Sequence, residues 1–158
     1  MGIKQDDEYR RVKVLAVASG GGHWDQMMVL RPAFDGFSVR YATTRRDFAV
    51  RDGIVDVLLL PDSNRFYPFH ALRSLIAAVS IVARTRPDVV ISTGALPGLF
   101  CLAAGRMIGA RTIWVDSFAN AERLSMSGRY ARWFATRYLT QWEHLTTIAG
   151  PDYDGSLL

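Results

Sequence analysis

Three glycines and a histidine, Ser19-Gly20-Gly21-Gly22-His23, stand directly after an apolar run at residues 12–18. Such a run reads as a strand buried on both faces, and the residues from Trp24 onward read as a helix. The loop is then a strand-to-helix turn. Its glycines let backbone N–H groups approach a phosphate, and the helix start adds partial positive charge. A histidine there can hold or release a proton near neutral pH, so His23 is a candidate base or phosphate contact. The same residues also suit a tight turn without a ligand, although three consecutive glycines carry a large backbone-entropy cost for a mere connector.

Other candidates share this layer. Thr93-Gly94-Ala95 and Pro97-Gly98 form a second small-residue loop, read either as a compact helix start or as the other wall of one cleft. Asp116-Ser117 closes a later strand, where a carboxylate can bind a sugar hydroxyl, orient His23 or cap the next turn. A helix expected over residues 127–138 puts Tyr130, Phe134 and Tyr138 on one side and Arg129, Arg132 and Arg137 around Trp133 on the other. That is a core helix with a solvated basic face, or a surface where arginines meet lipid phosphates. Gln141-Trp142-Glu143 reads as a core lid or as an anchor for a partner.

The elements that must position these residues alternate. Strands are expected at 12–18, 37–43, 54–60, 88–92 and 112–115, with a short one before Gln141; helices are expected at 24–34, 69–84, 96–108 and 127–138. In the helix at 69–84, Leu72, Leu75, Ile76, Val79, Val82 and Ala83 fall on one stripe, as in a helix packed on a core. Alternation of this kind predicts an α/β Rossmann-like parallel sheet with helices on both faces. Ligands bind beyond the carboxyl ends of such strands, which gathers residues 19–23, 43–47, 93–98 and 116–120. Residues 1–11 read as a flexible tail and 12–158 as a single domain.

Composition narrows the function. A hydrophobic content of 49% with 22% charged residues belongs to a globular chain. The net charge of +4 points to an anionic partner, either a phosphorylated substrate or an acidic membrane. No dense lysine/arginine block supports nucleic acid. The single cysteine, Cys101, lies in an apolar stretch and reads as a small buried hydrophobe. The charged start does not resemble a signal peptide, and the longest apolar run, 75–83, falls short of the ~20 residues a spanning helix needs. Isolated His23, His70 and His144 lack metal-ligand spacing. A nicotinamide fingerprint fails at its third glycine, where Asp25 stands, and no carboxylate follows at Thr43-Thr44-Arg45-Arg46.

The glycine loop, Val115-Asp116-Ser117-Phe118-Ala119, Leu124-Ser125-Met126-Ser127-Gly128, Gln141-Trp142-Glu143 and Tyr153-Asp154-Gly155-Ser156-Leu157 together resemble one family. It is the acceptor-side, membrane-associating subunit of the two-component N-acetylglucosaminyltransferase of dolichol-linked oligosaccharide synthesis, with bacterial counterparts in capsular and exopolysaccharide assembly. The resemblance implies the N-terminal half of a split GT-B glycosyltransferase, with a separate donor-binding partner chain and a nucleotide sugar, a UDP-sugar above all. It implies a polyprenyl-diphosphate-linked acceptor, a peripheral position on the cytoplasmic membrane face, and no metal or cofactor. By the same resemblance, Gly20, Gly21 and Gly22 hold the acceptor diphosphate or the donor phosphates; Ser19, Thr93, Gly94 and Ser117 join them as candidates for phosphate or acceptor from their place at the strand ends. His23 and Asp116 are the catalytic candidates, Asp116 falling where the family usually shows Glu. Arg129, Arg132, Trp133, Gln141, Trp142 and Glu143 form a partner or membrane surface. Two other classes stay open: a non-catalytic scaffold that recruits a catalytic partner, and a stand-alone NAD(P) enzyme.

Overall fold

The computed structural model describes residues 11–63 and 68–157. The tail expected at residues 1–11 lies outside them except for Arg11. Six parallel strands form one sheet: β1 (Lys13–Ala18), β2 (Ser38–Thr43), β3 (Val57–Leu59), β4 (Val89–Ser92), β5 (Arg111–Val115) and β6 (Arg137–Leu139), in the order β3-β2-β1-β4-β5-β6. The chain builds outward from β1 in one direction, then crosses over and builds outward in the other. β1 sits between β2 and β4, Ala16 registering with Tyr41 on one side and with Ile91 on the other.

β1 is buried on both faces, and its pleat separates two cores. Val14, Ala16 and Ala18 point into the cluster beneath α1 (Gly22–Leu30) and α2 (Arg46–Arg51), with Trp24, Met27 and Ala49. Leu15 and Val17 point into the cluster beneath α3 (Pro68–Thr85), α4 (Ala95–Met107) and α5 (Met126–Ala131), with Ala78, Leu102 and Trp114. Gly98 and Gly105 bring α4 close to the sheet: a Cβ at either would stand 2.1 Å from Ser92 Oγ or 2.6 Å from Val90 Cγ2. Cys101 is fully buried within this packing.

The α/β reading holds, with four corrections. α2 was not expected; six residues are too few for a periodic signal. Pro32 ends α1 early, and residues 31–34 continue as a 3-10 turn. The helix expected over 127–138 stops at Ala131, a turn follows, and Arg137 and Tyr138 lie on β6. Of the stripe expected on α3 only Val82 is buried, with Ser74, Ala78 and Ile81 from outside the stripe, whereas Leu72, Leu75, Ile76 and Val79 are exposed. The small inward residues suit the close approach of α3 to α4.

Candidate active site at the sheet reversal

The carboxyl ends of β1 and β4 are neighbours, and the helices after them leave to opposite faces, so a crevice opens between the two loops. The glycine loop forms one lip and Thr93-Gly94-Ala95 the other. Two reciprocal hydrogen bonds join them. His23 Nδ1 donates to the Thr93 carbonyl at 3.0 Å, and Thr93 Oγ1 donates to the His23 carbonyl at 2.7 Å. A carbonyl only accepts, so Nδ1 carries the proton and Nε2 of the neutral ring keeps its lone pair. Burial lowers the His23 pKa below the ordinary histidine value, against the opposing Thr93 bond and the charge of Asp116. The ring is therefore neutral at pH 7 with Nε2 able to take a proton.

The glycines are required for different reasons. A Cβ on Gly94 would stand 2.3 Å from His23 Cε1 and Nδ1, so the imidazole rests on this residue. Its φ of 147° and the 67° of Ala95 place strained backbone at the lip. A Cβ on Gly20 would strike the Arg45 side chain at 2.4 Å, and the Gly20 N–H donates to Thr44 Oγ1. Gly21 adopts a φ of 91°. A Cβ on Gly22 would meet nothing within 4 Å and its backbone is not left-handed, so nothing among the described residues calls for glycine there. Neither α1 nor α4 has a side-chain N-cap, which leaves first-turn N–H groups of two helices at one crevice.

Asp116, expected among the catalytic candidates or as a cap of the next turn, stands directly after β5. Its carboxylate is buried and committed: Oδ1 accepts from Trp114 Nε1 at 3.1 Å and from Ser125 Oγ at 2.6 Å, and Oδ2 accepts from Ser125 N at 3.0 Å. Ser125 Oγ in turn caps α5 by accepting from Gly128 N at 2.8 Å. A Cβ on Gly128 would meet Asp116 Oδ1 at 2.5 Å. The Leu-Ser-x-x-Gly stretch is thus the seat of the Asp116 carboxylate. The group that orients His23 through a hydrogen bond is the Thr93 carbonyl.

Ser117, expected at the phosphate, is buried beneath the loop and accepts from Gln26 Nε2 at 3.0 Å and Ala119 N at 3.3 Å. Gln26 was missed from the sequence. Its only signal was an amide three residues after His23, just ahead of the apolar Met27-Met28-Val29-Leu30. Gln26 Oε1 accepts from Gln141 Nε2 and from Phe118 N. Gln141 also donates to the Asp116 carbonyl at 3.0 Å and accepts from Leu157 N at 3.1 Å. At 3% exposure, Gln141 belongs to this buried amide network and not to a surface. Half-buried Trp142 stacks on Phe118 at 4.9 Å and donates Nε1 to its carbonyl, and Glu143 is exposed.

Arg129, Arg132 and Trp133 are exposed on α5 and the turn after it, around a hollow of about 390 Å³, with the Arg132 guanidinium 4.6 Å from the Trp133 ring centre. Arg137, expected among them, pairs with Asp154 and Asp152. No group of metal-binding side chains occurs among the described residues.

A family model described as "Oligosaccharide biosynthesis protein Alg14 like" matches residues 62–156. The UDP-N-acetylglucosamine transferase subunit alg14 of Schizosaccharomyces pombe is 32% identical over 88 residues, 51% of this chain and 42% of that protein. The Yarrowia lipolytica subunit of the same name is 34% identical over 88 residues, 50% of this chain and 41% of that one. The match therefore spans about two-fifths of each relative. Among solved structures, Acinetobacter baumannii MurG superimposes with a TM-score of 0.72 at 14% identity, over 90% of this chain and 45% of that one, which establishes a shared fold.

Proposed function

Because this chain belongs to the Alg14-like family of oligosaccharide biosynthesis proteins, we propose that it is the acceptor-side half of a two-component glycosyltransferase. A separate chain supplies the nucleotide sugar, a UDP-sugar, and the acceptor is a sugar on a polyprenyl diphosphate at the cytoplasmic membrane face. The carrying observation is His23, held through Nδ1 with Nε2 unpartnered among the described residues, beside two uncapped helix starts and a glycine that faces open space. In this reading the N–H groups at Gly21 and Gly22 hold a diphosphate. His23 Nε2 takes the proton of an acceptor hydroxyl. The freed oxygen attacks the anomeric carbon, and the bond to the nucleoside diphosphate breaks with its electron pair on the departing phosphate.

The test is co-expression with a donor-binding partner chain and assay of membranes against a panel of nucleotide sugars. Transfer that requires both chains supports the proposal. Transfer by this chain alone means it holds a complete site, and the half-enzyme reading is wrong. A recruiting scaffold without chemistry is the competing reading, favoured by the commitment of Asp116 and Ser117 to internal hydrogen bonds. His23→Ala separates the two. A loss of at least ~100-fold in turnover with the complex intact makes His23 a catalytic residue, and unchanged turnover leaves a scaffold.

A further inference from the structure

We propose that the amino edge of the sheet, where β1, β4 and β5 begin, docks an acidic protein segment that carries apolar residues between its carboxylates. This edge is opposite the one that carries His23, and the inference stands apart from the transferase reading. The observation is where the chain leaves its cations. Arg11 precedes β1 and Lys13 opens it, Arg84 and Arg86 close α3, Arg106 lies in the last turn of α4, and Arg111 opens β5. All are exposed, and none has an ion-pair partner among the described residues. Arg40, Arg45, Arg51 and Arg137, by contrast, are paired with aspartates. Helix dipoles account for Arg84 and Arg106, which stand at the carbonyl ends of two helices. They do not account for Arg11, Lys13 and Arg111 at strand starts. Arg86 is held at a φ of 42°, a left-handed cap position where glycine is usual, so a guanidinium is kept there against backbone strain.

The edge is also concave. A hollow of about 730 Å³ is lined by Arg86, Arg111 and Asp88, with Val12, Ala83 and Ile108 as an apolar wall. Asp88 Oδ2 accepts from the Lys13 N–H at 2.8 Å, which leaves the two guanidinium groups to set the charge of the recess. A smaller hollow of about 230 Å³ shares Pro87 with it and adds Lys13, Arg40 and Arg84. Shape and lining together select the occupant. A carboxylate fits the guanidinium fork through two parallel hydrogen bonds. An apolar side chain beside it covers Val12 and Ile108, which are 39% and 50% exposed. A polypeptide supplies both groups within a few residues. A flat bilayer does not enter a recess, and a free polyphosphate leaves the apolar wall wet. With the crevice at the other edge, a docked segment leaves it open.

Fluorescence anisotropy of the full chain with a fluorescein-labelled peptide of Glu-Glu-Leu repeats tests this, without nucleotide sugar. Wild type should bind saturably, and more weakly as salt rises. Arg86→Glu/Arg111→Glu should lower affinity at least about tenfold. Arg86→Gly/Arg111→Gln provides a second pair that relieves the cap strain and should also weaken binding; circular dichroism confirms the fold of each. Arg123→Glu, an equal charge reversal on an exposed arginine away from this edge, should bind as wild type. A peptide of Glu-Glu-Ser repeats should bind more weakly than the leucine peptide. The proposal is overturned if the leucine peptide does not bind, if the edge variants bind it like wild type, or if Arg123→Glu weakens it as much as they do. Equal binding of the serine peptide or of tripolyphosphate overturns it in favour of charge alone. Displacement of the peptide by phosphatidylglycerol vesicles, lost in the edge variants, overturns it in favour of a lipid surface. Binding seen only after deletion of residues 1–9 assigns the edge to the chain's own acidic start and overturns it as well.

Discussion

Replacing Asp116 with asparagine separates the two roles a buried carboxylate can have at the end of β5. The asparagine oxygen can retain the Oδ1 position, accepting from Trp114 Nε1 and Ser125 Oγ. Its NH₂ must then take the Oδ2 position and face the Ser125 N–H, donor against donor. One charge-assisted bond, about 1.5–3 kcal/mol, is lost, and a buried N–H is left unsatisfied at about 1–3 kcal/mol, with partial relaxation between the two. The expected cost is roughly 3 kcal/mol, or on the order of 6–12 °C in Tm for a chain of this size. Urea unfolding followed by tryptophan fluorescence measures it, because Trp114 reports on the same carboxylate. Transfer by the co-expressed pair, assayed well below the new Tm, should fall by less than about tenfold. The reasoning is refuted if unfolding stays within about 1 kcal/mol of wild type while turnover drops more than ~100-fold, the signature of a reactive carboxylate.

The lowered His23 pKa has a signed consequence for pH. The neutral ring is the base, so transfer should rise with pH through an apparent pKa below the ordinary value near 6.5, and His23→Ala should remove that limb. The same depression makes the folded state most favoured above about pH 6.5, with stability lost as pH falls through the folded value, which acid titration of unfolding will detect. Gly22→Ala should leave the unfolding free energy within about 0.5 kcal/mol, since its methyl meets nothing in the chain, yet raise the acceptor KM at least about tenfold; an unchanged KM would empty the crevice of its proposed ligand. Tyr138, pushed up to about 12 by burial, has a hydroxyl with no hydrogen-bond partner, so Tyr138→Phe should be neutral or stabilising by about 1 kcal/mol in the same unfolding assay.

Much of the architecture was written in local pattern. The apolar runs Val14–Ala18 of β1 and Val89–Ile91 of β4 and the turn chemistry between elements were enough for a parallel sheet, because strands covered on both faces show no alternation to misread. The glycine loop was legible for the same local reason. What failed was of two kinds. Short elements such as α2 and β6 carry too few residues for a period to appear, and the residues 127–138 kept a helical spacing of aromatics across a helix end at Ala131. α3 failed differently: its periodicity was real, but periodicity names a stripe and does not say what lies against it. The roles of Asp116, Ser117 and Gln141 depended on partners 9 to 115 residues away, Gln26 above all, and no spacing in the chain announces those.

The paired bonds between His23 and Thr93 make the two lips a clasp. Crevice width is set there by two hydrogen bonds, together on the order of 1–3 kcal/mol, and not by interlocked apolar side chains. That joint is softer than either core beside it. Under the proposed diphosphate site, an anion that draws in the first turn of α1 would act on Thr93 through both of these bonds.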